Sequence, residues 1–325
     1  MTTFKEIRGT AIQSVSSDPT NPEEGQIWYN NTIGVLKGYR SLGGVWSAGG
    51  NLTTGRRALA GAGTQTVGLA FGGLVLPGPG GQVITEEYNG STWSPGGNMT
   101  TARYALDGAG TQTAALGMGG GSYPGLARLS ATEEYDGSTW SPGGALGTAT
   151  YFGAAAGTQT AGLFFGGTIN PGSTRTNVTQ EYDGTSWGPG GNLATARAGL
   201  GGCGTQTAAL AFGGAITAQV TSTEEYDGSS WTAGGSLNTA RNDIGSCGTQ
   251  TAALGFGGYT PTSVTATELY NGSTWTNTGN LTTARGNMGG AGTQTVGLGF
   301  GGTGDLTSTE EFTNPVFAVQ KITTS

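Results

Sequence analysis

Gly63-Thr64-Gln65-Thr66-Val67-Gly68-Leu69-Ala70-Phe71-Gly72-Gly73 decides the fold, because the chain of 325 residues returns to this pattern five more times. Gly-Thr-Gln-Thr begins at Gly63, Gly110, Gly157, Gly204, Gly248 and Gly292, in steps of 47, 47, 47, 44 and 44 residues. The tryptophans Trp46, Trp93, Trp140, Trp187, Trp231 and Trp275 keep the same steps. So do the Gly-Gly doublets that begin at Gly72, Gly119, Gly166, Gly213, Gly257 and Gly301. Unrelated markers held in one register mean a structural repeat rather than low-complexity drift.

Each unit reads as four short strands. In the first they are Ala58 to Gly63, Thr66 to Gly72, Val83 to Tyr88, and the run from Ser91 through Trp93. Between the last two stands Asn89-Gly90, which returns as Asp136-Gly137, Asp183-Gly184, Asp227-Gly228 and Asn271-Gly272. Both residue types tolerate positive φ, so the pattern predicts a tight type I′ hairpin. No helical periodicity interrupts the repeats, and the fold class is all-β. A four-stranded unit of about 45 residues cannot bury its own faces and must stack on copies of itself. Radial stacking leaves only short edges. The 66 glycines, at fixed repeat positions, suit turns and closely approaching inner strands.

An apolar run ending in Gly-Gly, followed by a Tyr and a Trp five residues apart, resembles the kelch repeat. It stands here as LAFGG…EEYNGSTW, LGMGG…EEYDGSTW, LFFGG…QEYDGTSW, LAFGG…EEYDGSSW and LGFGG…TELYNGSTW. The resemblance covers residues 46 to 312, with a Tyr-to-Trp spacing slightly short for the family. It implies a six-bladed kelch-like β-propeller of four-stranded blades. Closure of the ring is open to two readings. The sixth unit runs to Glu310-Glu311-Phe312, with Phe312 in the tyrosine place and no Asp-Gly turn after it. Its outer strand comes either from the N-terminal side, around Val45-Trp46, or from Val316 to Ile322 with Phe317 in the tryptophan place. The second solution leaves residues 26 to 47 to a seventh blade.

With 13 basic and 20 acidic residues and a net charge of −7, the chain has no basic stripe for nucleic acid. The N-terminal MTTFKEIRGT lacks an apolar core, so no signal peptide is expected. No run approaches the roughly 20 apolar residues of a membrane span. These features predict a soluble protein made in a cytoplasm. Cys203 and Cys247 share one repeat position, filled elsewhere by Ala62, Ala109, Ala156 and Ala291. Equivalent sites on face-packed blades stand about 10 Å apart, beyond disulfide reach. Both are expected as small packing residues.

The chain has no histidine, which removes the commonest general base and metal ligand. Ser-His-Asp catalysis, a zinc site and the copper site of galactose-oxidase-like propellers go with it. Asp-Gly-Ser-Thr-Trp looks like the Asp-box of sialidases but lacks that motif's residue between Asp and Gly. Glu86-Glu87, Glu133-Glu134, Glu224-Glu225 and Glu310-Glu311 recur before the third-strand aromatic. Catalytic carboxylates face each other across a substrate, whereas neighbours in a strand point to opposite faces. Arg56, Arg103, Arg197, Arg241 and Arg285 recur in step, with Thr150 in the slot of the third repeat. Either an Arg–Glu pair or Arg-to-carbonyl bond ties each blade to its neighbour, or the arginines line a mouth that holds an anionic group such as a sugar acid. Likewise the Thr and Gln of each Gly-Thr-Gln-Thr either satisfy turn groups locally or present a glutamine ring to a partner. No catalytic residue, cofactor or metal site is expected.

Function on a symmetric scaffold belongs where the symmetry breaks. Nearly all length variation falls between the Gly-Gly doublet and the third strand: LVLPGPGGQVIT, GSYPGLARLSAT, TINPGSTRTNVT, then the shorter AITAQVTST, YTPTSVTAT and TGDLTST. Alternating strand direction puts these loops on one face with the connections between blades. That face carries the candidate binding residues Leu76, Pro77, Tyr123, Pro124, Arg128, Arg175, Tyr259 and Pro261, since binding residues concentrate on loops of rigid scaffolds.

Residues 1 to 42 differ in character from the rest. Asp18 to Asn30 (DPTNPEEGQIWYN) sets prolines before a strand-like GQIWYN. This stretch resembles a short module of tail-fibre and other virion proteins of tailed bacteriophages. The resemblance implies an N-terminal attachment segment (1–42), a displayed propeller (43–312) and a C-terminal strand or tail (313–325). The expected function is that of a non-enzymatic virion component, with other virion proteins and a host-surface glycan or protein as partners. A carbohydrate-active or glycan-binding propeller and a cellular kelch-type interaction scaffold are the alternatives.

Overall fold

The computed structural model describes residues 12–19, 26–40, 43–78, 80–169, 174–314 and 318–321. The chain divides into two compact units, one of Met1–Gly44 with Asn314–Ser325 and one of Val45–Thr313.

The larger unit is a six-bladed β-propeller. Its first blade orders the strands Ala60–Gly63, Gly68–Phe71, Thr85–Tyr88 and Trp93–Pro95 from inside to outside, all antiparallel. The next four units repeat this order in sequence. The sixth takes Gly289–Gly292, Val296–Phe300 and Thr309–Thr313 from the C-terminal side and closes with Val45–Ala48. Phe312 stands opposite Trp46 in that pairing, as Tyr88 stands opposite Trp93 in the first blade. The inner strands touch in a cycle, the last lying against the first. The seven-blade alternative is thereby corrected. Ile27–Asn30 and Val35–Arg40 belong to the smaller unit, and Ala318–Lys321 pairs with Val35–Arg40 rather than with the sixth blade. Phe317 lies outside the described residues.

Apolar clusters fill the spaces between blades. Leu69 and Phe71 of the first blade pack with Leu106, Tyr135 and Trp140 of the second. Leu59, Tyr88 and Trp93 of the first pack with Leu298 and Phe300 of the sixth. Glycine lets the inner strands come this close: a Cβ on Gly108 would stand 2.5 Å from Phe71 Cζ.

Three kinds of polar tie run from a blade to the one before it, and all but the tyrosine bond occur at every boundary. Each tryptophan indole donates to a third-strand threonine of the preceding blade, as Trp93 Nε1 does to Thr309 Oγ1 at 2.9 Å and Trp46 Nε1 to Thr267 Oγ1 at 3.0 Å. Tyr135, Tyr182, Tyr226 and Tyr270 donate their hydroxyls to Glu87, Glu134, Glu181 and Glu225 at 2.5–2.6 Å. The glutamines correct the expectation of local turn bonds. Gln112 Nε2 donates to Gly68 O and Tyr88 O, both at 2.8 Å, and its counterparts likewise span blades. A turn threonine hydroxyl serves the turn itself, accepting from Val67 N at 3.1 Å in the case of Thr64.

The Asp-Gly and Asn-Gly turns also differ from expectation. Tyr88 pairs with Trp93, so four residues form the loop, and Gly90 has positive φ whereas Asn89 does not. A type I′ turn needs both. Here the Asn89 side chain accepts from the amides of Ser91 and Thr92 at 3.0 and 2.9 Å, an Asx arrangement that replaces the predicted turn.

In the smaller unit, Gln13–Val15 runs parallel to Ile27–Asn30, followed by Val35–Arg40 and Ala318–Lys321. Trp28 is fully buried. Asp18 joins three side chains, accepting from Trp28 Nε1 at 3.1 Å, Asn30 Nδ2 at 2.9 Å and Lys37 Nζ at 2.5 Å. Within Asp18 to Asn30, residues 20–25 lie outside the described set.

Candidate functional site

The five arginines line no mouth. Arg56, Arg103, Arg197, Arg241 and Arg285 are each 0% exposed and pair with Glu86, Glu133, Glu224, Glu268 and Glu310 at 2.7–3.2 Å. Each glutamate also accepts a backbone amide from the connector that arrives from the preceding blade, such as Thr53 N on Glu86 at 2.6 Å. The pair therefore stitches that connector into the blade it enters. The backbone carbonyl of the same arginine accepts from the preceding blade, Gly73 N to Arg103 O at 2.9 Å. Burial pulls the arginine pKa values down, that of Arg103 to about 10. In the third blade both partners change together: Thr150 and Gln180 stand in their places, and Gln180 Oε1 accepts from Gly147 N at 2.7 Å. Exchanging both charges at once avoids a lone buried ion.

Two residues after each arginine slot, the connector enters the left-handed region. Ala58, Ala105, Phe152, Gly199, Asp243 and Asn287 have φ between 51° and 63°. Each amide donates to the carbonyl of the previous member at 2.7–3.0 Å, and Ala58 N closes the circle on Asn287 O. This ring frames the axial mouth on the variable-loop face. Below it lie cavities of about 70 and 60 Å³, and a third of about 110 Å³, lined by glycine, alanine, Ser246, Cys203 and Cys247, lies toward the Gly-Thr-Gln-Thr turns. Both cysteines are free and buried, and burial pushes the Cys203 thiol up to about 12.

The ring position varies from blade to blade although its geometry does not. Asp243 Oδ2 accepts from Asn287 Nδ2 at 3.3 Å, and burial pushes its carboxyl up to about 6. Asp107, on the second blade's inner strand, accepts from Gly108 N and Ala155 N at 2.8 Å, and burial pushes it up to about 7. The other blades carry alanine or glycine at the Asp107 position: Ala60, Ala154, Gly201, Gly245 and Gly289.

Among the loop candidates, Tyr123 and Arg128 join one aromatic patch. Tyr104 meets Tyr123, Tyr151 and Phe152 edge-on at 6.2–6.4 Å between ring centroids. The Arg128 guanidinium lies 4.5 Å from the centre of the Tyr151 ring, a cation–π contact. Pro124 is exposed beside Tyr123. Arg175 Nε donates to Ala215 O at 2.8 Å across the boundary of the third and fourth blades. Tyr259 is 40% exposed, with its backbone bonded to that of Asn242, and Pro261 is exposed in the same loop. Leu76 turns to another blade, its amide donating to Asp305 Oδ2 at 2.8 Å, and Pro77 is exposed next to it.

Sequence reasoning passed over Tyr104, Tyr151, Phe152, Asp107, Asp243 and Asn287, which lie on connectors and inner strands rather than in the long loops. The available signal was a non-alanine, non-glycine residue at a position where other repeats carry alanine or glycine. Among the described residues no group of three or more Cys, Asp or Glu is placed to hold a metal ion, and no helix is long and apolar enough to cross a membrane.

No protein-family model matches this sequence, and no curated protein sequence matches it. Among solved structures, a chain described as "Structure of YjhT" has a similar fold, with a TM-score of 0.68 at 11% identity over 83% of this chain and 99% of that one. The likeness is one of fold, a β-propeller built from repeated four-stranded sheets.

Proposed function

We propose that the protein is a non-enzymatic structural component of a tailed-bacteriophage particle, a tail-fibre, baseplate or head appendage. In this reading the N-terminal segment docks to other virion proteins, and the kelch-like propeller presents its variable-loop face to a host surface or a further particle component. One observation carries the reading: the repeated carboxylates, arginines, glutamines and tyrosines bond within and between blades, while the residues that break the repeat gather on one face. The GQIWYN stretch, with Trp28 buried and Asp18 tying three side chains together, supports an attachment module. Mass spectrometry of gradient-purified particles tests it, with the chain expected at stoichiometric copy number. Its confinement to the soluble lysate would refute a virion role.

A carbohydrate-active propeller is the second reading, favoured by the raised carboxyls of Asp107 and Asp243 at the axial mouth. Against it, both Asp107 oxygens accept backbone amides. The full chain is expected to release no sugar and consume no oxygen on a panel of polysaccharides. Turnover abolished by Asp243→Asn would establish the second reading instead.

A further inference from the structure

Beside the axial mouth, among the third, fourth and fifth blades, the variable face opens a cleft of about 200 Å³ walled in part by Phe152, Thr168, Arg175, Asn242 and Asp243. Its polar groups are only partly occupied. Nε is the donor Arg175 uses among the described residues, toward Ala215 O at 2.8 Å, which leaves both terminal nitrogens available. Asn242 Oδ1 accepts from Gln219 at 3.3 Å, and its amide nitrogen is likewise available among the described residues. Asp243 Oδ1 occupies room that Gly199 provides, since a Cβ there would stand 2.6 Å from it. Gly199 is the one glycine of the axial ring, and it admits the carboxylate.

We infer that this cleft is a subsite for a single pyranose residue of a glycan. The inference rests on the display reading above and names the chemistry of its contact. A pyranose has an apolar C–H face and an edge of vicinal hydroxyls. Phe152 offers the aromatic surface, Asp243 accepts hydroxyl protons, Arg175 donates, and Asn242 can do both. A purely apolar ligand would strand three polar side chains. A phosphate would be repelled by Asp243 beside Arg175. The volume lies below the roughly 300 Å³ at which pockets for drug-sized ligands begin, which fits one sugar ring.

The repeat supplies fold-safe variants. Ala58 and Ala105 hold the ring position of Phe152 at φ values of 51° and 53°, against 54° for Phe152. Asn287 holds that of Asp243 at 53°, against 54° for Asp243. Phe152→Ala and Asp243→Asn thus place residues that the same ring already accommodates.

Saturation-transfer NMR of the full chain with methyl glucoside, galactoside, mannoside and N-acetylglucosaminide is the test. At least one pyranoside is expected to receive transfer through its ring C–H protons. Each variant should weaken that ligand about tenfold or more while its circular dichroism spectrum stays that of the folded wild type. Transfer that survives both variants would place sugar binding elsewhere, and no transfer to any of the four would reject a pyranose subsite. Either result overturns the inference while leaving the display reading to be decided on intact particles.

Discussion

The hydroxyl of Tyr88, in the first blade, donates to Glu311 Oε1 of the sixth at 2.6 Å and so helps close the ring. The equivalent bond is missing at one boundary, between the fifth and sixth blades. There Phe312 has no hydroxyl and Leu269, packed against its cluster, has no carboxylate. Both halves of the bond have gone together, leaving an apolar contact.

Phe312→Tyr is therefore expected to destabilise the propeller, since the new hydroxyl would face Leu269, at a cost of about 1–3 kcal/mol. Adding Leu269→Glu should restore most of the loss. Urea unfolding of the wild type, both single variants and the double variant measures that coupling.

The charge pairs obey the same logic. Arg241→Met leaves the buried Glu268 carboxyl without its partner and should cost about 3–5 kcal/mol. Arg241→Thr with Glu268→Gln, the combination native to the third blade, should cost clearly less. Thermal denaturation of the two variants distinguishes a paired structural ion from an independent one.

Stability should also depend on Asp107. Its folded pKa of about 7 lies above the unfolded value of about 3.9. Its contribution to stability is then fullest below the unfolded pKa and is lost as pH rises through the folded one. Between roughly pH 4 and pH 7 the wild type should lose stability relative to Asp107→Asn, whose side chain does not ionise. On top of a constant offset from the one backbone amide that the Asn nitrogen cannot serve, the difference in melting temperature should shift in the variant's favour from pH 4 to pH 7. Parallel curves would contradict the assignment.

Gly199→Ala brings two penalties, a φ of 63° and a Cβ 2.6 Å from Asp243 Oδ1. Strain of this kind costs about 1–3 kcal/mol. A fall in melting temperature is expected, along with displacement of Asp243 visible in a crystal structure of the variant.

The architecture was legible because period, turn residues and strand aromatics agree, and Trp46 without an upstream repeat pointed to closure from the N-terminal side. What the repeat hid was the direction of its bonds. Nothing in Gly-Thr-Gln-Thr tells that Gln112 reaches Tyr88 O in another blade, because that carbonyl is 24 residues away in sequence and adjacent only after stacking. The arginines admit two readings in sequence for a similar reason: a recurring charge looks the same there whether buried or exposed. Phe152 and Asp243 escaped notice because each occupies a short connector, where length does not vary and only side-chain identity does. Tyr123, Arg128 and Arg175 were recognisable through their loops, but their partners, Tyr104, Tyr151 and the Ala215 carbonyl, became apparent only with the fold.

The central claim is that the propeller is displayed on a particle with its variable face outward. A labelled Fab raised against that face, applied to intact purified particles and imaged by electron microscopy, tests it most directly. The account predicts Fab at fixed sites on every particle, competed away by the purified full chain. Undecorated particles, with the Fab recognising the same protein once the particles are disrupted, would contradict it.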